Sequence, residues 1–470
     1  MKKKIALVLT MAMLGSCLAG CGQNADDNGA ASDQKDSTTV AQSTETAQGT
    51  EAGEKEWFGT DDGKTVTIRL WGGVQPEYGY DEVCANFNEE YKDKGVQVEY
   101  VRYVNDSSGN LQLETYLMGG GDVDLFLGYG GRSKLDKRVE SNLLLDMSGM
   151  LKDYGFDLET ELGESNMLDY KYDDGSVYGF PTKYENARWL MINEDMFKEA
   201  GIDIPYNGWT YSEFLSAVEK LTHGEGQDKV YGLCWSRKQN SRYVQLMLNS
   251  VLGSYQSYKN DEGTEVNFDN KVYHDGFEMV MKTLDNGWAI PIEDEYSEDL
   301  SVANTFLEGK CAITLGIPMM RLCMDQENYP HDFVTALVPA PVPDDEQYNT
   351  EFYRTHAGTP GAGDLMCIAA NTKYPEACFK FAMWYLKGGM APLVKGGRIP
   401  LWNGIDKQAF LDVLKENAEG SIDLDSMNNY LSIDRTQGVK TVQGVAGATW
   451  KNDEKGFVPV NLSDGPAGLR

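Results

Sequence analysis

From residue 65 onward the chain alternates strand-like and helix-like stretches, and this alternation restricts the fold more than any other feature. Residues 65–71 set Val66, Ile68 and Leu70 on one face, the period-two pattern of a half-buried strand. Gly72-Gly73 breaks that strand. Residues 81–94 follow with Val83, Phe87 and Tyr91 at four-residue spacing, which predicts an amphipathic helix ended by Gly95. A strand at 96–101, a short helix at 111–117 stopped by Gly119-Gly120-Gly121, and a buried strand at 122–127 come next. The logic resumes with an extended piece at 177–181, a strand at 188–192 and a helix at 194–200 capped by Asn193. Thr210-Tyr211-Ser212-Glu213 is a capping box leading into Phe214, Val218 and Leu221 on one helix face. Strands alternating with helices imply βαβ units and an α/β fold with sheets covered on both faces. No tandem repeat of 20–50 residues is present, which argues against a solenoid.

About 410 residues follow Trp57, more than one ordinary core holds, so two lobes are expected. The residues before Trp57 read differently. Lys2, Lys3 and Lys4 precede an apolar run at 5–14 that is too short to span a bilayer but suits a signal peptide. It leads to Leu18-Ala19-Gly20-Cys21, which resembles a bacterial lipobox, so cleavage before Cys21 and a diacylglycerol on its sulfur are expected. Each buried acyl methylene contributes about 0.8 kcal/mol, so two or three chains hold a protein firmly at a membrane. Residues 22–56 carry Val40 as their only sizeable apolar side chain and predict a disordered tether. No later stretch reaches the ~18 apolar residues of a transmembrane helix.

The net charge of −31 disfavours nucleic acid and anionic headgroups as partners without specifying a ligand. Cys84, Cys234, Cys311, Cys323, Cys367 and Cys378 lack close metal or redox spacing, and most have apolar neighbours that suit buried thiols. An exported protein can nonetheless hold a bridge, with Cys311 and Cys323 as one pairing to consider. His223, His274, His331 and His356 lack metal-ligand spacing, and neither a serine triad nor an HExxH pattern occurs. Acidic residues are too abundant to nominate the carboxylate pair of a glycoside hydrolase. No catalytic residue, metal or cofactor is expected.

Four stretches then carry a resemblance. They are Leu70-Trp71-Gly72-Gly73; Gly121-Asp122-Val123-Asp124-Leu125 with Asn142-Leu143-Leu144-Leu145-Asp146; Gly175-Ser176-Val177-Tyr178-Gly179-Phe180-Pro181 with Leu190-Met191-Ile192-Asn193-Glu194; and Phe306-Leu307-Glu308-Gly309-Lys310. In this order the chain resembles the family 1 extracellular solute-binding proteins of ATP-driven importers, the group containing maltose-binding protein. The resemblance implies a two-lobe periplasmic-binding-protein-like fold of type II. Each lobe is a mainly parallel sheet flanked by helices, and a hinge joins the lobes across a cleft. It places the signal at 1–20, Cys21 and the tether at 21–60, the first lobe at 61–180 plus 316–371, and the second at 181–315 plus 372–470. Crossings are implied near 180–182, 314–317 and 371–373. The implied role is that of a monomer anchored by lipid on the outer face of a bacterial cytoplasmic membrane, passing a small molecule to permease subunits. An oligosaccharide is the expected ligand, with peptides, polyamines and a polyol phosphate left open.

Candidate binding residues follow from local pattern and from the resemblance. Trp71 ends a strand before two glycines; its indole offers a flat face and one donor to a sugar, or simply fills the interior. Gln75 is its polar neighbour in the same loop. The resemblance adds Tyr129 and Arg132 after the third strand, with Asp124 either accepting ligand hydroxyls or bracing a turn. It brings Tyr184 and Glu185 in after the first crossing, from the second lobe. Trp235 ends a strand-like run at 230–235, and Trp288 and Trp402 are further aromatic candidates. Met319 and Arg321 stand where relatives often carry a stacking aromatic, a departure from a maltose-like site. Gly361 and Asp364 precede the third implied crossing.

Overall fold

The period-two run at the start of the domain forms an inner strand, next to the edge, of a six-stranded sheet. A computed structural model of the chain describes residues 57–103, 111–129, 131–167, 170–184, 189–234, 251, 271–298, 300, 302–315, 320–356 and 362–436. The first sheet contains β1 (Val66–Gly72), β2 (Val96–Arg102), β3 (Leu125–Gly128), β4 (Phe180–Tyr184), β9 (Ala362–Ile368) and β10 (Ile399–Pro400). Its order is β10-β4-β9-β3-β1-β2. β1 pairs in parallel with β2 and β3, while β9 runs antiparallel between β3 and β4. Val66, Ile68 and Leu70 are buried, as the alternation predicts. Gly72 is required by a close approach: a Cβ there would lie 2.5 Å from the Tyr100 hydroxyl. The helix Tyr80–Glu90 buries Tyr80, Val83, Cys84 and Phe87 against this sheet, the stripe its spacing requires.

The second sheet contains β5 (Trp189–Asn193), β6 (Tyr231–Leu233), β7 (Cys311–Leu315) and β8 (Thr335–Pro339), in the order β6-β7-β5-β8. β6 and β7 are parallel, and β5 runs against both β7 and β8. Both faces of β5 are covered. Leu190 and Ile192 share a core with Phe197, Trp209, Phe214 and Val218. Trp189 points the other way and meets Tyr430 edge-on, ring centroids 4.7 Å apart. The anticipated caps are present: Asn193 Oδ1 accepts from Met196 N at 3.0 Å. In the capping box Thr210 Oγ1 accepts from Glu213 N at 3.3 Å, and Glu213 Oε2 accepts from Thr210 N at 2.7 Å. Two lobes, each an α/β unit around its own sheet, make the fold.

The sheets divide the chain differently from the implied bounds. β8, expected in the first lobe, pairs with β5 in the second sheet. β10, expected in the second lobe, pairs with β4 in the first. The helix Pro375–Trp384 also belongs to the first lobe, where Phe381 meets Phe87 edge-on at 5.0 Å. The chain therefore passes from first to second sheet between Tyr184 and Trp189, a few residues after the implied 180–182. Residues 371–373 are a turn within the first lobe, joining β9 to the next helix. The return to the second lobe comes later, at the helix Leu424–Leu431, where Ser426 Oγ accepts from Leu337 N at 3.0 Å. A linear motif marks a strand but not which sheet it joins, because pairing is set by residues far away in sequence.

Cys234, just past the end of β6, and Cys311, the first residue of β7, form a disulfide with Cα atoms 5.9 Å apart. This corrects the Cys311–Cys323 pairing, since Cys323 is a buried free thiol on the helix Met320–Met324. Cys84, Cys367 and Cys378 are likewise buried and free. Burial pushes the Cys84, Cys323 and Cys367 thiols up to about 12, so they act as small apolar groups. Among the described residues no helix is long and apolar enough to cross a membrane.

Candidate functional site

Ligands of open α/β sheets sit beyond the carboxyl ends of the strands. In the first sheet β1, β3 and β4 end on one edge, and antiparallel β9 enters from that same edge. The side chains there form a charged centre ringed by tyrosines. Asp364, the third residue of β9, is 4% exposed and has a left-handed backbone, φ 51°. Aspartate tolerates that conformation better than most residues, and such outliers concentrate where the surroundings hold them for a purpose. Arg398 Nε, just before β10, donates to Asp364 Oδ2 at 2.8 Å, and Lys183 Nζ of β4 lies 3.9 Å from Oδ1. Thr182 Oγ1 donates to the Asp364 carbonyl at 2.8 Å.

Electrostatics fixes the protonation of this centre. Burial alone would raise the Asp364 carboxyl, but the charges of Lys183 and Arg398 outweigh it and hold the group below its ordinary value. Burial also works against the Arg398 charge, yet Asp364 keeps the guanidinium firmly protonated. Tyr80, at the start of the first helix, stacks on Tyr100 with centroids 4.3 Å apart, and the Arg398 guanidinium lies 5.9 Å from its ring. Tyr100 is satisfied: its hydroxyl donates to the Val74 carbonyl at 2.7 Å. The Tyr129 hydroxyl is buried without a hydrogen-bond partner, while the Tyr80 hydroxyl faces that of Tyr385 and the Arg398 guanidinium. Burial pushes the Tyr80 phenol up to about 12 and those of Tyr129 and Tyr385 well above their usual value. A buried hydroxyl without a partner costs about 1–3 kcal/mol, so that of Tyr129 beside this ion pair calls for an explanation in function.

Of the sequence candidates, Tyr129 and Asp364 belong to this cluster. Tyr184 ends β4 beside Lys183, with its ring 6.0 Å from that of Tyr430. The Arg321 guanidinium lies 4.8 Å over Tyr78, in the same turn region as Gln75. Other candidates are engaged in the fold. Trp71 is 4% exposed, and its indole donates to the Asp122 carbonyl at 2.9 Å, which is the interior-packing role. Asp124 braces: its carboxylate accepts from Arg69 N at 2.9 Å and from Thr372 Oγ1 at 2.7 Å. Arg132 lies over Tyr172 at 4.2 Å and donates to Asp136 at 2.6 Å. Trp288 packs on the second-lobe core, and Trp402 donates to Glu161 at 2.8 Å. Glu185, Trp235, Met319, Gly361 and the lipidation candidate Cys21 lie outside the described residues.

Sequence reading missed Tyr80, Lys183, Tyr385 and Arg398. Lys183 and Tyr80 could have been found from their places beside strand-end motifs. Arg398 and Tyr385 carry no local signal, because only the return of the chain to the first sheet brings them in. Among the described residues no group of three or more histidine, cysteine or acidic side chains could hold a metal.

Two α/β lobes, with the chain crossing between their sheets and a polar cluster at a carboxyl edge, define a binding protein of the two-lobe, type II class. The chain belongs to the bacterial extracellular solute-binding protein family, whose model matches residues 72–387. The fold is similar to that of a sugar transporter of Rhizobium etli solved in an open conformation, at 16% identity and a TM-score of 0.57, covering 80% of this chain and 88% of that one. It is similar also to an ABC substrate-binding protein of Listeria monocytogenes in complex with cycloalternan, at 19% identity and a TM-score of 0.51, over 78% and 87% of the two chains. A sugar-binding protein of Xanthomonas citri matches with a TM-score of 0.53 at 16% identity, over 78% and 85%.

Proposed function

We propose that this protein captures a carbohydrate, most simply an oligosaccharide, in the cleft between its lobes and delivers it unchanged to the permease of an ATP-driven importer. The carrying observation is the arrangement at the first sheet's edge: the buried phenols of Tyr80, Tyr129 and Tyr385 around the Asp364–Arg398 pair, with the Tyr129 hydroxyl unpartnered. Directed hydroxyls beside ring faces suit a ligand that is apolar on its C–H faces and polar at its rim. A polyamine would seek uncompensated carboxylates, whereas Asp364 is already held by Arg398 and Lys183. The sugars named for similar folds support the same reading. Gln75, Tyr184 and Arg321 are the further contacts we assign to the cleft.

A thermal-shift screen over mono- and oligosaccharides tests this. A ligand at 100 times its dissociation constant adds roughly 2.7 kcal/mol of stability. Response to a peptide alone, or the appearance of cleaved sugar, overturns the assignment. The Leu18-Ala19-Gly20-Cys21 sequence supports lipid anchoring on the outer face of the cell membrane. Labelled palmitate should enter the wild type and not Cys21→Ser.

A further inference from the structure

A groove elsewhere on the first lobe has the make-up of a second ligand site. It encloses about 540 Å³, and Tyr80, Lys183, Asp364, Tyr385 and Arg398 are absent from its walls. That volume falls within the roughly 300–1,000 Å³ of small-molecule sites. Tyr91, Tyr154 and Trp384 supply aromatic surface, and Tyr154 is 42% exposed. Trp384 is held in place: its indole donates to Glu90 Oε2 at 2.8 Å, and its ring stands edge-on to Phe87 at 5.2 Å. Gly389 lets that ring lie against the backbone, since a Cβ there would come within 2.3 Å of it.

The backbone at the groove is unusual as well. After Trp384 the chain kinks within Tyr385–Gly389, where Gly388 has a φ of 132° that side-chain-bearing residues rarely adopt. Lys387 projects from this segment with its ammonium 4.7 Å from the Tyr154 ring, 5.0 Å from Phe156 and 5.5 Å from Trp402. Charge selects the ligand class. Lys380 and Lys387 are balanced by Glu90 and Asp406 in the lining, so neither a polyanion nor a polycation gains from the groove as a whole. Phe87 stacks on Tyr91 at 4.4 Å and Lys387 covers part of Tyr154, so a neutral polyol would lie on the exposed remainder of Tyr154 and Trp384 and bond to the charged rim.

We propose that this groove binds a short stretch of a neutral polysaccharide, while the cleft takes the transported solute. The inference rests on the carbohydrate reading of the cleft only for the likeness of the two ligands. The full chain is run in native gels containing soluble starch, mixed-linkage β-glucan, arabinoxylan or glucomannan. At least one polymer should retard the wild type, and Tyr154→Ala and Lys387→Ser should each weaken that binding fivefold or more. Tyr129→Phe, in the cleft, should be retarded like the wild type. Retardation by none of these polymers, by a sulfated dextran alone, or equally in both groove variants overturns the proposal. Retardation without any thermal shift by soluble saccharides would defeat the cleft assignment and leave the groove standing.

Discussion

Asp364 illustrates how one residue joins stability to recognition. Its carboxylate is buried, ionised and gripped by Arg398, so Asp364→Asn leaves a guanidinium buried without its counter-charge. Removing one partner of such a pair costs about 3–5 kcal/mol. A large drop in melting temperature is therefore expected by calorimetry at neutral pH. The pH dependence has a definite sign. The folded-state carboxyl titrates below its ordinary value of 3.8, so the unfolded chain takes up the proton first. The contribution is complete above pH about 4 and disappears as the pH falls through the folded-state value. The wild type should lose stability over that acid window more steeply than Asp364→Asn. Tyr129→Phe tests the other half of the site, because it deletes a buried hydroxyl that has no partner in the fold. The variant should be as stable as the wild type or more so, yet bind its saccharide more weakly. A loss of stability with unchanged affinity would refute a ligand role for Tyr129. Legibility was uneven at this scale. The resemblance pointed to Asp364 and Tyr129, which lie in the buried polar cluster, whereas Trp71, the sharpest local candidate, spends its indole donor on the Asp122 carbonyl. A tryptophan at a strand end looks the same in sequence whether its ring faces a cleft or a neighbouring loop.

Local rules succeeded for elements whose stabilisation is local. The capping box of Thr210 and Glu213 was legible because both hydrogen bonds join residues three apart. Thr210→Ala should cost about 1 kcal/mol, measured by chemical denaturation, with ligand affinity unchanged. An unchanged midpoint would mean that Arg354, 3.3 Å from the Glu213 carboxylate, carries the helix start instead. Strands were legible as strands for the same reason: Val66, Ile68 and Leu70 need only their own alternation. Sheet membership was not. β8 pairs with β5 across more than a hundred residues, and nothing within Thr335–Pro339 signals which sheet will take it. The Cys234–Cys311 bridge has the same origin, since those residues meet only after β6 and β7 pair.

At the scale of the whole molecule, the polar cluster belongs to one lobe, which bears on how binding would drive motion. Asp364, Lys183 and Arg398 all sit on the first sheet and are already mutually satisfied. A ligand docking there would meet a formed surface, and the second lobe would contribute contacts only on closing. Ligand shifts a two-state equilibrium only by its difference in affinity for the two states. If second-lobe contacts favour the closed state a hundredfold, the shift is about 2.7 kcal/mol, enough to turn a mostly open population mostly closed. Scattering from the full chain should then show a smaller radius of gyration with a stabilising saccharide than without it. Tyr129→Phe should need more ligand to reach the same compaction, because its deficit lies in first-lobe docking rather than in closure. Binding with full affinity and no change in radius would show that first-lobe contacts alone hold the ligand, and the delivery model would lose its moving part.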